Sequence, residues 1–353
     1  MLLVLWDHIV GGWTTRNGRS WIGLNAVRDW VSGPFAIIQD FGFLGVTLFF
    51  LLSGYIISEV AVRESRRVFA VRRLLRIYPA LIVSIVLIVL LDRLRPSFGL
   101  PNQGFGVAQT AWSMSLLNYV RVADSPVNGV AWSLIIEVLF YGMIFSCLGL
   151  LKRRPLVAIA VEMSIVLLVV ATARNFPLTG LVPNWFQLSA SVSYLPLLII
   201  GQSIWMWRSH RASALQACVC TFCAWLIFVL GMRRIHTEFL APSNSYGVSV
   251  FIAIAIFIVA LTNESRIKLP KGIAALSVVS YSVYLIHGPL TSLVMDRLAP
   301  SLPFTVHATI ALLILAILAA LMWRFVEVPT QLLARRLTPV RAHHREPASL
   351  SAP

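Results

Sequence analysis

Three ionisable residues of this chain stand inside apolar runs. They are His8 in the opening Met1-Leu-Leu-Val-Leu-Trp-Asp7-His8, Glu137 early in the apolar block that begins near Val130, and His287 at mid-depth in the block 273–295. An ionisable group in hydrocarbon is costly, turns toward the interior of a helix bundle and is a functional candidate by default. Each also has an inert reading. A lone imidazole can hydrogen-bond a neighbouring helix, and Glu137 can pair with an arginine or with the indole of Trp132. His287 can serve carbonyls freed by a kink at Gly288-Pro289. Three such residues in separate spans point instead to one water-filled cavity within the membrane and to a reaction centre there. Tyr281 and Tyr284, three apart on the His287 helix, share one face, where a hydroxyl could hold a substrate or simply pack.

A second cluster is cationic. In Arg72-Arg73-x-x-Arg76-Ile77-x-Pro79, three guanidinium groups crowd the first turns of a helix that starts at the membrane surface. Arginine is a poor partner for the helix dipole there. The placement suits bidentate capture of phosphate, or plain anchoring to anionic lipid. Other charges read as structural: Glu162 alone in its apolar block, Asp296 with Arg297 as an interfacial pair, and Arg324 with Glu327 as a salt bridge at i,i+3 spacing.

The elements that must position these groups follow from composition. The 353 residues are 58% hydrophobic and only 12% charged, with a mean hydropathy of +0.82, outside the range of soluble domains. Apolar blocks recur near the roughly 20 residues that a bilayer core requires, and unbroken runs such as 81–91 exclude the alternation of a membrane β-barrel. The expected fold is all-α, a polytopic transmembrane helical bundle of about ten spans. The membrane domain covers 1–337, followed by a polar, proline-containing tail at 338–353. The opening segment is short for a span and lacks the features of a signal peptide.

The net charge of +15 is explained by topology rather than by nucleic acid. With the Arg63–Arg76 loop in the cytoplasm and 106–120 folded as a re-entrant or surface helix, 19 of the 29 basic residues fall on the cytoplasmic side, in the sense of the positive-inside rule. The C-terminus is then cytoplasmic. Arginine far outnumbers lysine, as in a GC-rich bacterial coding sequence, and the expected location is a bacterial inner membrane. Cys218, Cys220 and Cys223 point in three directions around one helix and cannot converge on a metal. No metal site or permanently bound cofactor is expected, and oligomeric state is not legible.

Taken in order, six segments resemble the acyltransferase-3 family of bacterial membrane O-acyltransferases, which modify surface polysaccharides, nodulation factors and macrolides. They are His8; Phe49-Phe50-Leu51-Leu52-Ser53-Gly54; Arg72-Arg73-Leu-Leu-Arg76-Ile77-Tyr78-Pro79; Trp132-Ser133-Leu134-Ile-Ile-Glu137-Val-Leu-Phe140-Tyr141; Ser280-Tyr281-Ser282-Val283-Tyr284-Leu285-Ile286-His287; and Glu327-Val328-Pro329. The resemblance implies transfer of an acyl group, usually acetyl from acetyl-CoA, to a hydroxyl of a saccharide or glycosylated acceptor. The family's catalytic histidine matches His8, which becomes the general base, with Asp7 or Glu137 to orient it; Glu137 could instead hold the acceptor. Arg72, Arg73 and Arg76 would hold acyl-CoA phosphates from the cytoplasm. Ser53, Gly54, Trp132, Ser133, Tyr281, Tyr284 and His287 would line the substrate cavity. A histidine-bound acyl intermediate is a competing route.

One feature departs from the family pattern. Its conserved arginine, eleven positions before the histidine, would precede Met1, so a start upstream of Met1 is expected; with Met1 as the start, an inactive remnant is the reading. On the residues alone a transporter or flippase, using buried His and Glu for substrate or protons, also stays open. Membrane lipids are the remaining expected partners.

Overall fold

A computed structural model describes residues 1–121, 126–175, 184–236, 243–268 and 270–339. Among them nine helices are long and apolar enough to cross a membrane, and the chain is an all-α polytopic bundle. The first helix, α1, is shorter and runs without a break through Leu2–Leu5, Trp6–Gly12 and Trp13–Arg16. The helices α2 (Gly42–Arg63), α3 (Arg66–Leu94) and the short α4 (Val107–Ser115) follow. α4 ends at Leu116 in a left-handed conformation and continues only as a tight turn, Leu117–Val120. It is too short to cross a bilayer, in agreement with a surface or re-entrant placement of 106–120.

Next come α5 (Trp132–Arg153), α6 (Pro155–Thr172), α7 (Trp185–Val192), α8 (Leu195–Arg208), α9 (Ala214–Ile235) and α10 (Ser243–Thr262). The chain closes with α11 (Lys271–Leu298), α12 (Phe304–Met322), the wide-turned Trp323–Glu327 and α13 (Val328–Leu337). The tail expected from 338 lies outside the described residues from 340 onward. Thr338, by contrast, is buried and bonded to Arg72.

Burial separates a central pair of spans from a lipid-facing ring. The apolar windows of the spans Gln39–Arg63 and Trp185–Arg208 are 67% and 78% buried, against about a third for most others. The central pair meets at two glycines: a Cβ on Gly54 would overlap the backbone carbonyl of Leu198, and one on Gly201 that of Leu51. Without an apolar driving force between helices in lipid, such small-residue contacts let backbones approach and pack. Gly54 is thus a helix-crossing residue rather than a wall of the substrate cavity. Neighbouring Ser53, on the same crossing helix, lies on none of the cavities described below.

Candidate active site

His8 enters the bundle on a widened turn. Trp6–Gly12 is a π-type stretch inside α1, a rare geometry that gathers at functional sites. The half-buried His8 ring forms part of the wall of two cavities, of about 450 and 350 Å³. The larger presents the aromatic faces of Trp132, Tyr194, Tyr246 and Tyr284 and the polar groups of Gln39, Gln187 and His236. Among the described residues it has no lysine or arginine in its wall. The smaller runs between apolar side chains such as Ile88, Leu91 and Leu293 toward Arg16 and Arg95.

The floor of the larger cavity is held by a strained turn. Gln39, Asp40 and Phe41 are consecutive non-glycine residues at φ 53°, 44° and 74°, a costly conformation that persists only where the surroundings enforce it. The enforcement is an ion pair from Arg28 to Asp40, Nε–Oδ1 2.8 Å and Nη2–Oδ2 2.5 Å. Asp7 also lines this cavity, but its carboxylate sits in the space left by the missing side chain of Gly42. Among the described residues no hydrogen bond joins Asp7 to His8. His236, one residue past the end of α9, pairs through Nε2 with Ser193 Oγ at 2.9 Å. Burial pushes its pKa down to about 4, so the cavity carries a neutral imidazole there.

Behind His8, away from the cavity walls, lies His287. It is fully buried, and the two rings meet edge to face with centroids 4.8 Å apart and planes at 81°. His287 was expected in the cavity wall; it is instead the layer behind the wall. Tyr284, one turn earlier, does face the larger cavity. Its hydroxyl donates to the Val130 carbonyl and lies 2.6 Å from Ser133 Oγ. Ser133 and Tyr284 therefore lock α11 to the start of α5, with Tyr284 offering the cavity its ring.

Glu137, expected to orient His8, lies on neither of the cavities that His8 lines. Trp132 and Ile136, four apart on α5, share the cavity face, and the next residue is turned about 100° away from Ile136. Glu137 accepts a hydrogen bond from Tyr141 and lies in the field of Arg76 and Arg73. Tyr281 joins this other face: its hydroxyl donates to the Ile77 carbonyl at 3.1 Å, which braces α11 against α3 and removes it from the cavity. Glu327 accepts from Ser282 rather than pairing with Arg324. Asp296, expected to pair with Arg297, accepts from Trp13 Nε1 at 2.9 Å and faces Arg95 at 3.5 Å.

At the opposite end of the bundle the three arginines do share one cavity, of about 550 Å³, with Glu64, Gln331 and Arg335. They are not equivalent. Arg72 spends its donors on Glu64 Oε1 (2.7 Å), Thr338 Oγ1 (2.9 Å) and the Thr338 carbonyl (3.2 Å). Arg73 lies 3.8 Å from the same Glu64 and over the rings of Phe69 and Tyr141. Arg76 has no carboxylate within salt-bridge distance among the described residues. Lys152 adds a bond from Nζ to the Glu64 carbonyl, 2.6 Å. A guanidinium near Glu137 and Glu327 but in direct contact with neither is the one of the three best suited to an incoming phosphate.

The wall residues Gln39, Gln187, Tyr194, Tyr246 and His236 carry no local sequence signal. They stand near helix ends far apart in the chain and converge only through packing.

A family model described as an acyltransferase domain, of the acyltransferase-3 type, matches residues 1–324. Nodulation protein 10 of Rhizobium leguminosarum bv. viciae is 25% identical over 372 residues, covering 90% of this chain and 91% of that protein. No solved structure matches the chain.

Proposed function

We propose that this chain, which belongs to the acyltransferase-3 family, moves an acyl group, acetyl in the first instance, from acyl-CoA to a hydroxyl of a saccharide or glycosylated acceptor. That it is an acyl-transferring enzyme follows from the family, and the transporter reading open on residues alone gives way to it. The finer reading rests on one observation: the imidazole of a membrane-embedded helix opens onto an aromatic cavity that carries no lysine or arginine among the described residues. Flat aromatic faces with amide and imidazole groups at their edges suit a neutral polyhydroxylated ring. His8 stands where one of the ring's hydroxyls would be.

In the reaction a neutral His8 takes the hydroxyl proton as the acceptor oxygen attacks the thioester carbonyl. The carbon–sulfur bond breaks, and the imidazolium returns its proton to the departing CoA thiolate. General-base assistance of this kind is worth about 10²–10⁴-fold. Arg76, with Arg73 and Arg72 around it, would hold the CoA phosphates at the far end of the bundle. With that end cytoplasmic, as the distribution of basic residues favours, the acceptor cavity faces the other side of a bacterial inner membrane and the acyl group crosses during transfer. Asp7, in the cavity wall beside His8, and Glu137, among the arginines, would support the site rather than act on the acceptor.

Detergent-purified protein given acetyl-CoA and a panel of bacterial saccharides should release free CoA thiol together with an acetylated sugar detectable by mass spectrometry. Turnover by His8→Ala equal to that of the wild type would overturn the assignment of the base.

A further inference from the structure

We infer that His287 is a positioning residue for His8: its bare Nε2 serves as the acceptor that fixes the His8 ring and its proton. The inference rests on the reading of His8 as the base. It begins from a side chain whose inert explanation the structure removes. Pro289 lacks an N–H, so it leaves the carbonyl of Leu285, four residues earlier, without its helical donor. That carbonyl is taken by Asn128 Nδ2 at 2.9 Å. The kink is served from the segment before α5, and His287 is not needed for it.

What His287 does bond is the Tyr284 carbonyl, 2.8 Å from Nδ1. A carbonyl only accepts, so Nδ1 carries the ring proton and Nε2 carries the lone pair. Nε2 is buried with no hydrogen-bond partner among the described residues. A buried polar atom left this way in a native fold calls for an explanation, and the ring packed closest on His287 is His8, with centroids 4.8 Å apart against 5.9 Å for Tyr284. The two rings touch edge to face, which is the looser geometry expected before substrate binds; catalytic hydrogen bonds commonly tighten only in the substrate complex. When His8 donates its one N–H to Nε2 of His287, its other nitrogen is left bare toward the cavities, as a base requires. Proton uptake from the acceptor turns that bond into a charge-assisted one. His287 touches neither substrate in this arrangement and acts only through His8.

Full-length protein with ring-¹⁵N-labelled histidine tests this without relying on turnover. The His8 signals, assigned by their loss in His8→Asn, should report one dominant tautomer in the wild type. In His287→Ala they should report a mixture, and His287→Gln, whose carbonyl oxygen can stand in for the lone pair, should restore one form. His8 signals identical in wild type and His287→Ala overturn the inference whatever the enzyme proves to do. In acetyl-CoA turnover, His287→Ala should lower kcat about 100-fold, within the range for misplacing a general base, with KM little changed, and His287→Gln should recover about tenfold of that loss. Equal loss in both variants accompanied by a lowered melting temperature would make His287 structural and defeat the proposal. Full turnover by His8→Ala would instead defeat the reading of the base, and the labelled spectra would still report on the contact.

Discussion

The two polar ends of this bundle are built on opposite principles. At the His8 end the larger cavity shows aromatic faces and two imidazoles, one of them held uncharged, while its charged neighbours Arg28 and Asp40 are paired with each other. At the arginine end the charges are numerous but largely spent on one another, with Glu64 taking Arg72, Arg73 and Lys152. The contrast teaches that charge density is a poor guide to where bonds change. A buried ion cluster stabilises chiefly when its members satisfy each other. A reacting group must keep a nitrogen free.

Four perturbations separate these roles. The largest effect belongs to the imidazole end: His8→Ala should cost about 10²–10⁴-fold in turnover with an unchanged melting temperature in detergent, read by thiol release and by differential scanning fluorimetry. The second acts on the crossing that holds the two ends in register. Gly54→Val places side-chain atoms on the Leu198 carbonyl. It should destabilise by more than the ~1–3 kcal/mol typical of overpacking, because backbone rather than a side chain must move; loss of monodisperse protein on size-exclusion chromatography reads it.

The third contrasts two arginines of one cavity. Arg76→Gln should raise KM for acetyl-CoA about tenfold, roughly the ~1.5–3 kcal/mol of one charged hydrogen bond less what its neighbours retain, and leave the melting temperature alone. Arg72→Gln should do the reverse, since it strips Glu64 and Thr338 of their partner; a fall in melting temperature with KM little altered is the expected result. If Arg72→Gln changes only KM, the division of labour drawn here is wrong.

The smallest effect is a pH dependence. His236 has its pKa lowered by burial to about 4 from 6.5. The unfolded chain therefore binds more protons than the folded one between these values, and stability falls as pH drops from 6.5 through 4. At pH 7 and above the group contributes no slope. Melting temperatures of wild type and His236→Asn, compared between pH 7.5 and 4.5, should differ in slope only in the acid part of that window.

Much of the architecture was legible from composition because hydrocarbon admits so few solutions. Apolar blocks of span length must be helices with their backbone bonds satisfied internally, and the short 106–120 piece could be set aside by topology alone. His8 stands out for the same reason, as an ionisable group in apolar surroundings. The errors have a common origin. Ser53, Gly54, Glu137 and Tyr281 are placed with His8 by motifs on separate helices, yet the next residue along a helix points about 100° away. Gly54 went to a helix crossing, Glu137 to the arginines and Tyr281 to the Ile77 carbonyl.

Sequence by itself determined that this is a membrane-spanning helical protein with an acyltransferase's residues in an acyltransferase's order, since span length, burial cost and residue type are local quantities. Only the tertiary structure decided which of those residues meet. His287 came to stand behind His8, Asn128 took the carbonyl that Pro289 left open, and among the described residues Arg76, unlike Arg72, makes no direct ion pair. Those outcomes depend on the rotation of each helix about its axis and on partners far away in the chain, and neither is written in any one segment.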